Sequence, residues 1–189
     1  LGIIARQLAD FENSERHHKQ ALIIWREIDD TKGEAKSLNG LGNLATDCED
    51  LDEAERLHLE SLAIRRDIGD RKGEAASLNN LGNIAKARGD LDEAERAHEE
   101  ALAIDRAESN RKGESHELDR LGEISSDRGD YDKAEKLHNE SLVIKREIGD
   151  RRGEGASLGL LGNVAHDRGD YDEAERLYRA YVRIMNEIG

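Results

Sequence analysis

Histidine recurs at a fixed interval in this sequence. His18, His58, His98 and His138 stand forty residues apart, and Tyr178 takes the same place in the last interval. Imidazole is a common metal ligand, but the ligands of one ion must converge on a single point. Side chains a whole repeat apart on parallel helices are too distant to share an ion. We therefore predict that this column packs between helices or hydrogen-bonds across repeats, and we expect no metal and no cofactor.

Three carboxylates form the second candidate group. Asp119, Glu123 and Asp127 step by four residues, so on a helix they share one face. Like charges at this spacing mildly destabilise a helix, which makes a purely structural purpose less natural. The functional interpretation is a docking spot for Lys or Arg of a partner. A solvated acidic face is the alternative. A divalent-cation site is a weaker third interpretation, because no loop is available to wrap around the ion.

Other catalytic patterns are missing from the sequence. No Ser-His-Asp or Cys-His arrangement can be assembled from local motifs. The glycines are isolated, and none precedes a phosphate-binding Gly-Lys-Ser/Thr motif. Cys48 is the single cysteine, so neither an internal disulfide nor a thiolate metal site is indicated. We expect no enzymatic activity from this segment.

Composition limits the partners. The 189 residues carry a formal net charge of −14, which argues against binding nucleic acid or an anionic membrane surface. No secretory signal or long apolar run is present, and we expect a cytoplasmic location. The chain begins at Leu1 inside a helical pattern without an initiator Met, so we expect it to be a piece of a longer protein.

The elements that must position these side chains repeat with the same period. Leu-Gly pairs end at Gly42, Gly82, Gly122 and Gly162, forty residues apart. Four full units follow a truncated unit 1–29, and they span residues 30–69, 70–109, 110–149 and 150–189. Such a period predicts a single array over residues 1–189, in which each unit packs on its neighbours, rather than one core with a cleft.

Each unit is predicted to be a pair of helices. In the first full unit, apolar residues at three- and four-residue steps indicate helices over about 32–48 and 52–68. Gly89 is predicted to end one helix in the left-handed conformation, Asp90 to cap the next, and Glu93 to complete a capping box.

The glycine in the middle of each first helix costs about 1 kcal/mol relative to alanine. We interpret it as a point where a neighbouring helix approaches closely, and we expect small residues of the partner helix to face it. The candidates are Ala54, Ser61, Ala94 and Ala101.

The Leu and Leu-Gly columns, with small residues in the second helix, resemble the tetratricopeptide repeat. Leu-Gly-Asn at 41–43, 81–83 and 161–163 is similar to a forty-residue subclass found in Pins-type adaptors, kinesin light chains and prokaryotic regulatory proteins. The resemblance covers essentially the whole chain. It implies an all-α fold, a right-handed superhelix of antiparallel helix pairs known as a solenoid.

The resemblance also implies where a partner binds, because first helices line the concave face in this family. The outward stripe expected there consists of Lys36, Asn39, Asn43, Asp47, Ala76, Asn79, Asn83, Lys86, His116, Asp119, Glu123, Asp127, Gly159, Asn163, His166 and Asp167. Asparagine amides suit a peptide backbone, since they offer donors and an acceptor. The column of Asn43, Asn83 and Asn163 could equally hydrogen-bond the next repeat.

The last helix differs from its predecessors. The small column of Ala21, Ser61, Ala101 and Ser141 ends in Tyr181, and Tyr178, Val182 and Met185 add bulk beside it. We predict that this patch caps the array near residue 189 or forms a contact between copies. At the other end, the helix 1–9 is expected to expose an apolar side.

Three functions follow from these observations. The first is a non-catalytic scaffold that holds a peptide or helix of a partner protein, with basic segments preferred by the acidic third unit. The second is self-assembly through the exposed ends of the array. The third is a sensor tail of a larger regulatory ATPase or transcription regulator.

Overall fold

The computed structural model describes the backbone of residues 2–189 and the side chains of residues 11–189. Within that range the chain is all-α, as predicted. Its nine helices are α1 (Gly2–Glu27), α2 (Thr31–Asp47), α3 (Leu51–Asp67), α4 (Arg71–Ala87), α5 (Leu91–Ala107), α6 (Arg111–Asp127), α7 (Tyr131–Glu147), α8 (Arg151–Arg168) and α9 (Tyr171–Ile188). The helices predicted for the first full unit are α2 and α3, each shifted by one residue.

The packing divides the chain into two compact parts, each larger than a forty-residue repeat: Leu1–Ala97, called unit 1 from here on, and His98–Gly189, called unit 2. In unit 1, α1 packs on α2, α2 on α3, and α3 on α4. In unit 2, α6 packs on α7, α7 on α8, and α8 on α9. The first helices of successive repeats also touch, α2 with α4 and α6 with α8. Each unit is therefore built of consecutive helix pairs packed as in a tetratricopeptide solenoid.

The joints between helices form largely as the sequence predicts. Gly89 has a positive φ of 82°, and the Asp90 carboxylate accepts the Glu93 backbone N–H at 3.0 Å. The expected capping box is only half made, because the Asp90 N–H donates to the Ala85 carbonyl at 2.9 Å. The Glu93 side chain instead pairs with Arg96 at 2.6 Å.

The first joint is absent, which corrects the prediction of two helices in the truncated unit. α1 is one helix of 26 residues, and it runs through Ala9 and Asp10 without a break. At the place of Ala9, three of the equivalent later joints have glycine and the other has Glu49, which adopts a positive φ of 62°. That conformation is costly for a residue with a side chain, and Ala9 avoids the cost because the helix continues. The expected exposure of apolar side chains over residues 1–9 lies outside the described side chains.

The glycines inside the first helices face rings, which corrects the expectation of small partners. A Cβ built on Gly42 would lie 2.7 Å from the His58 ring, and one on Gly122 would lie 2.5 Å from the His138 ring. Tyr178 takes this place against Gly162, also at 2.7 Å. The close approach was predicted correctly, but the group that uses the space is an aromatic ring of the following helix.

The predicted leucine and small-residue columns form the buried layer between helices. Leu38, Leu118 and Leu158 are buried, and so are Ala54 and Ser61. Ser61 also donates its hydroxyl to the Ala35 carbonyl of the preceding helix at 2.8 Å. These contacts fix how the helices turn about their axes, and so decide which side chains face outward between α2 and α4 or between α6 and α8.

Candidate functional site

Unit 2 contains a groove of about 780 Å³ lined by α6 and α8, with contributions from α7 and α9. Leu160, Tyr181 and Met185 give it an apolar portion, and Tyr181 is 37% exposed. Small residues, Gly153, Ala156 and Gly159, and the Tyr178 ring also line it. Charged and polar side chains make up the rest of the lining: Lys112, His116, Asp119, Arg120, Glu123, Lys145, Asp150, Arg152 and Asn163. Its mixture of apolar surface, charges and an amide suits a polypeptide segment better than a compact apolar molecule.

Asp119 lies at the floor of this groove, only 7% exposed, which corrects its expected place on the outer surface. Its carboxylate is in direct ion-pair contact with the Lys145 ammonium. It also accepts hydrogen bonds from the His138 ring Nδ1 at 3.2 Å and from the Ser157 hydroxyl at 3.3 Å. Burial alone would raise the pKa of Asp119, but the His138 hydrogen bond and the Lys145 charge outweigh it, and the pKa is lowered. Asp119 is therefore a satisfied internal anion.

The other two carboxylates of α6 differ from Asp119. Glu123 pairs with Arg120 of the same helix at 3.1 Å, and both line the groove. Asp127 is exposed at the end of α6 and is not among the groove-lining residues. The three acids thus share a helix, but only Glu123 offers a partly exposed carboxylate inside the groove.

The remaining predicted residues of unit 2 fall into two places. His116 and Asn163 line the groove. The pKa of His116 is lowered by desolvation and by the charges of Lys145 and Lys112. His166 contacts Asp167 at 3.2 Å and the Tyr171 ring at a centroid distance of 5.5 Å, and it lies in a separate hollow with Tyr171.

In unit 1 the predicted asparagines form a network around a residue that the sequence analysis missed. Asn80 donates its amide to Asn39 at 3.2 Å and to Asn43 at 3.1 Å, and it contacts the His58 ring Nδ1 at 3.4 Å. Asn80 belongs to the repeat after Asn39 and Asn43, so these amides join neighbouring repeats. Of the two roles considered for the asparagine column, the structure shows a hydrogen bond between repeats for Asn43.

The other asparagines of the column make different bonds. The Asn83 amide donates to Asn79 within α4 at 3.1 Å. The Asn163 side chain accepts the Tyr178 hydroxyl at 2.8 Å, from α8 to α9. Lys36 and Asp47 are exposed on α2, and Lys86 is half-buried on α4.

The histidine column packs and hydrogen-bonds as predicted. His58, His98 and His138 are buried, and His98 contacts Glu117 of the next repeat at 2.7 Å. Burial, followed by the nearby charge of Arg65, lowers the pKa of His58 to about 4. His58 is therefore neutral at physiological pH. Among the described residues, no three metal-ligating side chains converge.

Sequence reasoning also missed the buried polar column formed by Arg65, Asp105 and Lys145. All three are buried, although they belong to the residue types that are usually exposed. Arg65 donates to the Gly73 carbonyl and to the Ser77 hydroxyl of the next helix. The sequence feature that could have indicated this column is the glycine that recurs forty residues apart at Gly73, Gly113 and Gly153. These glycines lie against Arg65, Asp105 and Lys145, in that order.

Comparisons with known proteins agree with this architecture. The model of the tetratricopeptide repeat family matches residues 33–107 and 114–187. The chain therefore belongs to the tetratricopeptide repeat family, whose members are generally non-catalytic scaffolds for protein interaction. The comparison with curated proteins found no match. Over the described residues, no helix is long and apolar enough to cross a membrane.

Three solved structures illustrate the likeness in fold. BtubC (BKLC) from P. vanneervenii has a TM-score of 0.85 at 22% identity, with 97% of this chain and 76% of that chain covered. The STAND signal transduction ATPase with a tetratricopeptide repeat sensor from Pyrococcus horikoshii has a TM-score of 0.80 at 21% identity. The match covers 95% of this chain and 28% of that chain. A putative kinesin light chain from Podosopora anserina has a TM-score of 0.76 at 18% identity, and the match covers 96% of this chain and 90% of that chain.

Proposed function

We propose that this protein is a non-catalytic scaffold that holds a peptide or helical segment of a partner protein. The observation that carries the proposal is the groove of unit 2, about 780 Å³ in volume, where Tyr181 and Met185 lie close to charged groups and the Asn163 amide. Buried aromatic anchors beside polar groups are the usual composition of a site that binds polypeptide.

The charges of the groove favour a partner segment with acidic residues. Asp119 and Glu123 are already paired with Lys145 and Arg120. In contrast, Lys112 and Arg152 line the groove and have no acidic partner among the described side chains. The sequence suggested a basic segment because of three carboxylates on α6, and the two internal pairs remove most of the reason for that preference.

Filling the groove tests the proposal. Ala156 is exposed and lines the groove, so Ala156→Trp adds bulk there without disturbing the core. Val143→Trp, on the exposed surface of α7 and outside the groove, is the matched control. A displayed peptide library should yield binders to the unaltered protein and to Val143→Trp that Ala156→Trp no longer retains. Equal retention by both variants would contradict binding in this groove.

Self-assembly is a second candidate, favoured by the outer surface of α9. Tyr171 and Val182 are exposed there and line a hollow of about 470 Å³ with little polar surface. Exposed apolar surface of this kind marks contact sites between proteins. Contact between copies through α9 would join two chains without using the groove.

A sensor role in a larger protein is the third candidate. The STAND structure is described as carrying a tetratricopeptide repeat sensor, and its repeat part has the same fold as this chain. We also propose a cytoplasmic location, because Cys48 is an exposed free thiol and such thiols persist in reducing compartments. Determining the full reading frame that contains this chain would test both proposals.

A further inference from the structure

Arg65 is a buried cation without a carboxylate partner. It is 6% exposed, and no acidic side chain of the described part lies within ion-pair distance of it. Its guanidinium donates to the Gly73 carbonyl and the Ser77 hydroxyl, while its Nε has no hydrogen-bond partner. The facing groups are the neutral His58 ring and the Asp70 carboxylate, which caps α4 and lies beside Arg65 against Gly73 without forming an ion pair. A buried charge with an unsatisfied donor is costly, so this arrangement is suited to an incoming anion.

The same chain contains an equivalent site in which an internal carboxylate neutralises the buried cation. Lys145 has the place in α7 that Arg65 has in α3, and it likewise donates to a serine of the next helix, Ser157. In unit 2, Asp119 of α6 neutralises Lys145. At the position of Asp119, unit 1 has Asn39, which cannot neutralise a cation. Lys145 lines the groove of unit 2, which indicates that this column of side chains reaches the surface between first helices.

The residues of unit 1 that correspond to the groove lining of unit 2 include three lysines, although the whole chain is strongly acidic. Lys32, Lys36 and Lys72 are exposed on α2 and α4, at the places that Lys112, His116 and Arg152 occupy around the groove of unit 2. The hydrogen-bonded amides of Asn39, Asn43 and Asn80 belong to the same two helices. Cations and amides together attract and orient a carboxylate.

We propose that unit 1 binds an acidic segment of the partner protein, with one Glu or Asp carboxylate placed between Asn39 and Arg65, where it supplies the anion that Asp119 supplies in unit 2. Arginine is suited to this task because its planar guanidinium binds a carboxylate through paired hydrogen bonds. The inference rests on the proposed scaffold function and names the chemistry of its ligand.

The test uses a matched pair of variants of the whole chain. Asn39→Asp builds the internal acid of unit 2 into unit 1. Asn43→Asp adds the same charge one helical turn away, on a side chain that also accepts from Asn80. We expect Asn39→Asp to raise the urea midpoint of unfolding, since it neutralises Arg65, and Asn43→Asp to leave it unchanged or lower.

Binding is measured on an array of peptides in which every Glu- or Asp-containing member has a Gln or Asn counterpart. The unaltered protein should bind the acidic members about tenfold more tightly than their counterparts, as expected for one charge-assisted pair. Asn39→Asp should abolish this preference while retaining the amide members, and Asn43→Asp should keep most of it. The Arg65 Nε–H resonance should shift on addition of a retained acidic peptide.

Each outcome has a definite meaning. Equal binding of acidic and amide members by the unaltered protein would overturn this inference and leave the scaffold function standing. A preference that survives in Asn39→Asp would place the carboxylate elsewhere and overturn it as well. An array with no bound peptide at all would contradict both the inference and the proposed function.

Discussion

Buried polar side chains are the main feature that distinguishes unit 1 from unit 2 in this protein. His58, Arg65 and Asp119 occupy positions where a repeat of this kind needs only packing, yet each brings a titratable group into the interior. Such groups destabilise the fold unless a partner compensates them. Their partners differ between units, so the units should respond differently to pH and to substitution.

The first prediction concerns His58 and pH. Its pKa is about 4 in the folded chain against 6.5 for an ordinary histidine, because burial and the Arg65 charge oppose protonation. Between these values the unfolded chain binds a proton that the folded chain does not, so stability falls as the pH is lowered through this window. Acidification from pH 7 to pH 5 should cost about 2 kcal/mol through this group.

Urea unfolding at both pH values measures the effect. His58→Gln is neutral throughout, so its loss of stability between pH 7 and pH 5 should be smaller than that of the unaltered chain. Identical pH dependence in the two proteins would show that the folded chain accepts the proton on His58 without penalty.

The second prediction concerns Asp119. Asp119→Asn leaves the Lys145 ammonium buried without its anion, and removal of one partner of a buried pair costs about 3 kcal/mol. Glu123→Gln, on the same helix, breaks a half-exposed pair with Arg120 and should cost under about 1 kcal/mol. Free energies of unfolding in guanidinium chloride compare the two. Similar small losses would mean that Lys145 finds another partner or water.

Helices and joints follow local rules, and so most of them could be predicted from the sequence. The three- and four-residue steps around Leu38 and Leu41 located α2, and Gly89-Asp90 located a joint. The continuous α1 was missed because the pattern of the later repeats was carried over to residues 1–29, where Ala9 stands in place of the glycine of Gly89-Asp90. Alanine has the highest helix propensity, so it favours continuing the helix at this point.

The third prediction compares two glycines of first helices. Gly122→Ala places a Cβ 2.5 Å from the buried His138 ring, so the loss from overpacking exceeds the gain in helix propensity, and we expect a net loss of about 1–2 kcal/mol. At Gly159 the nearest atom to a new Cβ is Tyr181 Cδ2 at 3.9 Å. Gly159→Ala should therefore stabilise the protein by up to about 1 kcal/mol.

Thermal and urea unfolding of both alanine variants would measure these changes. Stabilisation by Gly122→Ala would show that the His138 ring moves aside freely. Its hydrogen bond to Asp119 argues against such movement.

Contacts between side chains far apart in sequence could not be predicted in the same way. Lys145 follows Asp119 by 26 residues, and nothing in either local sequence reveals that they meet. The asparagine column was recognised, but its partner Asn80 breaks the forty-residue pattern, since Gly40, Arg120 and Leu160 occupy the equivalent positions. Departures from the repeat, rather than its conserved columns, therefore locate the candidate sites of both units.

At the level of the assembled protein, the two proposed modes of association use different surfaces. The groove of unit 2 is the surface proposed to hold a partner segment, whereas Tyr171 and Val182 lie on the outer surface of α9. A net charge of −14 opposes association between copies at low salt, because like charges repel over about 10 Å at 0.1 M ionic strength. Any association through α9 should strengthen as salt screens this repulsion.

The fourth prediction follows from that surface. If copies associate through α9, the mass from light scattering should rise with protein concentration and with salt. Val182→Glu should return the protein to a monomer, and Tyr171→Ala should weaken the association. Val143→Glu, with a similarly exposed valine on α7, should have no such effect. A constant monomer mass at high concentration would exclude self-assembly.

The contact between a glycine and a ring has a consequence for how this family of sequences diverges. Gly162 keeps its glycine although its neighbour is Tyr178 rather than histidine. A phenol has thus been exchanged for an imidazole in one repeat without any compensating change opposite. A substitution of the ring can therefore be tolerated where a side chain in place of the glycine cannot. In related sequences we expect the ring position of each repeat to vary while the glycine position stays fixed.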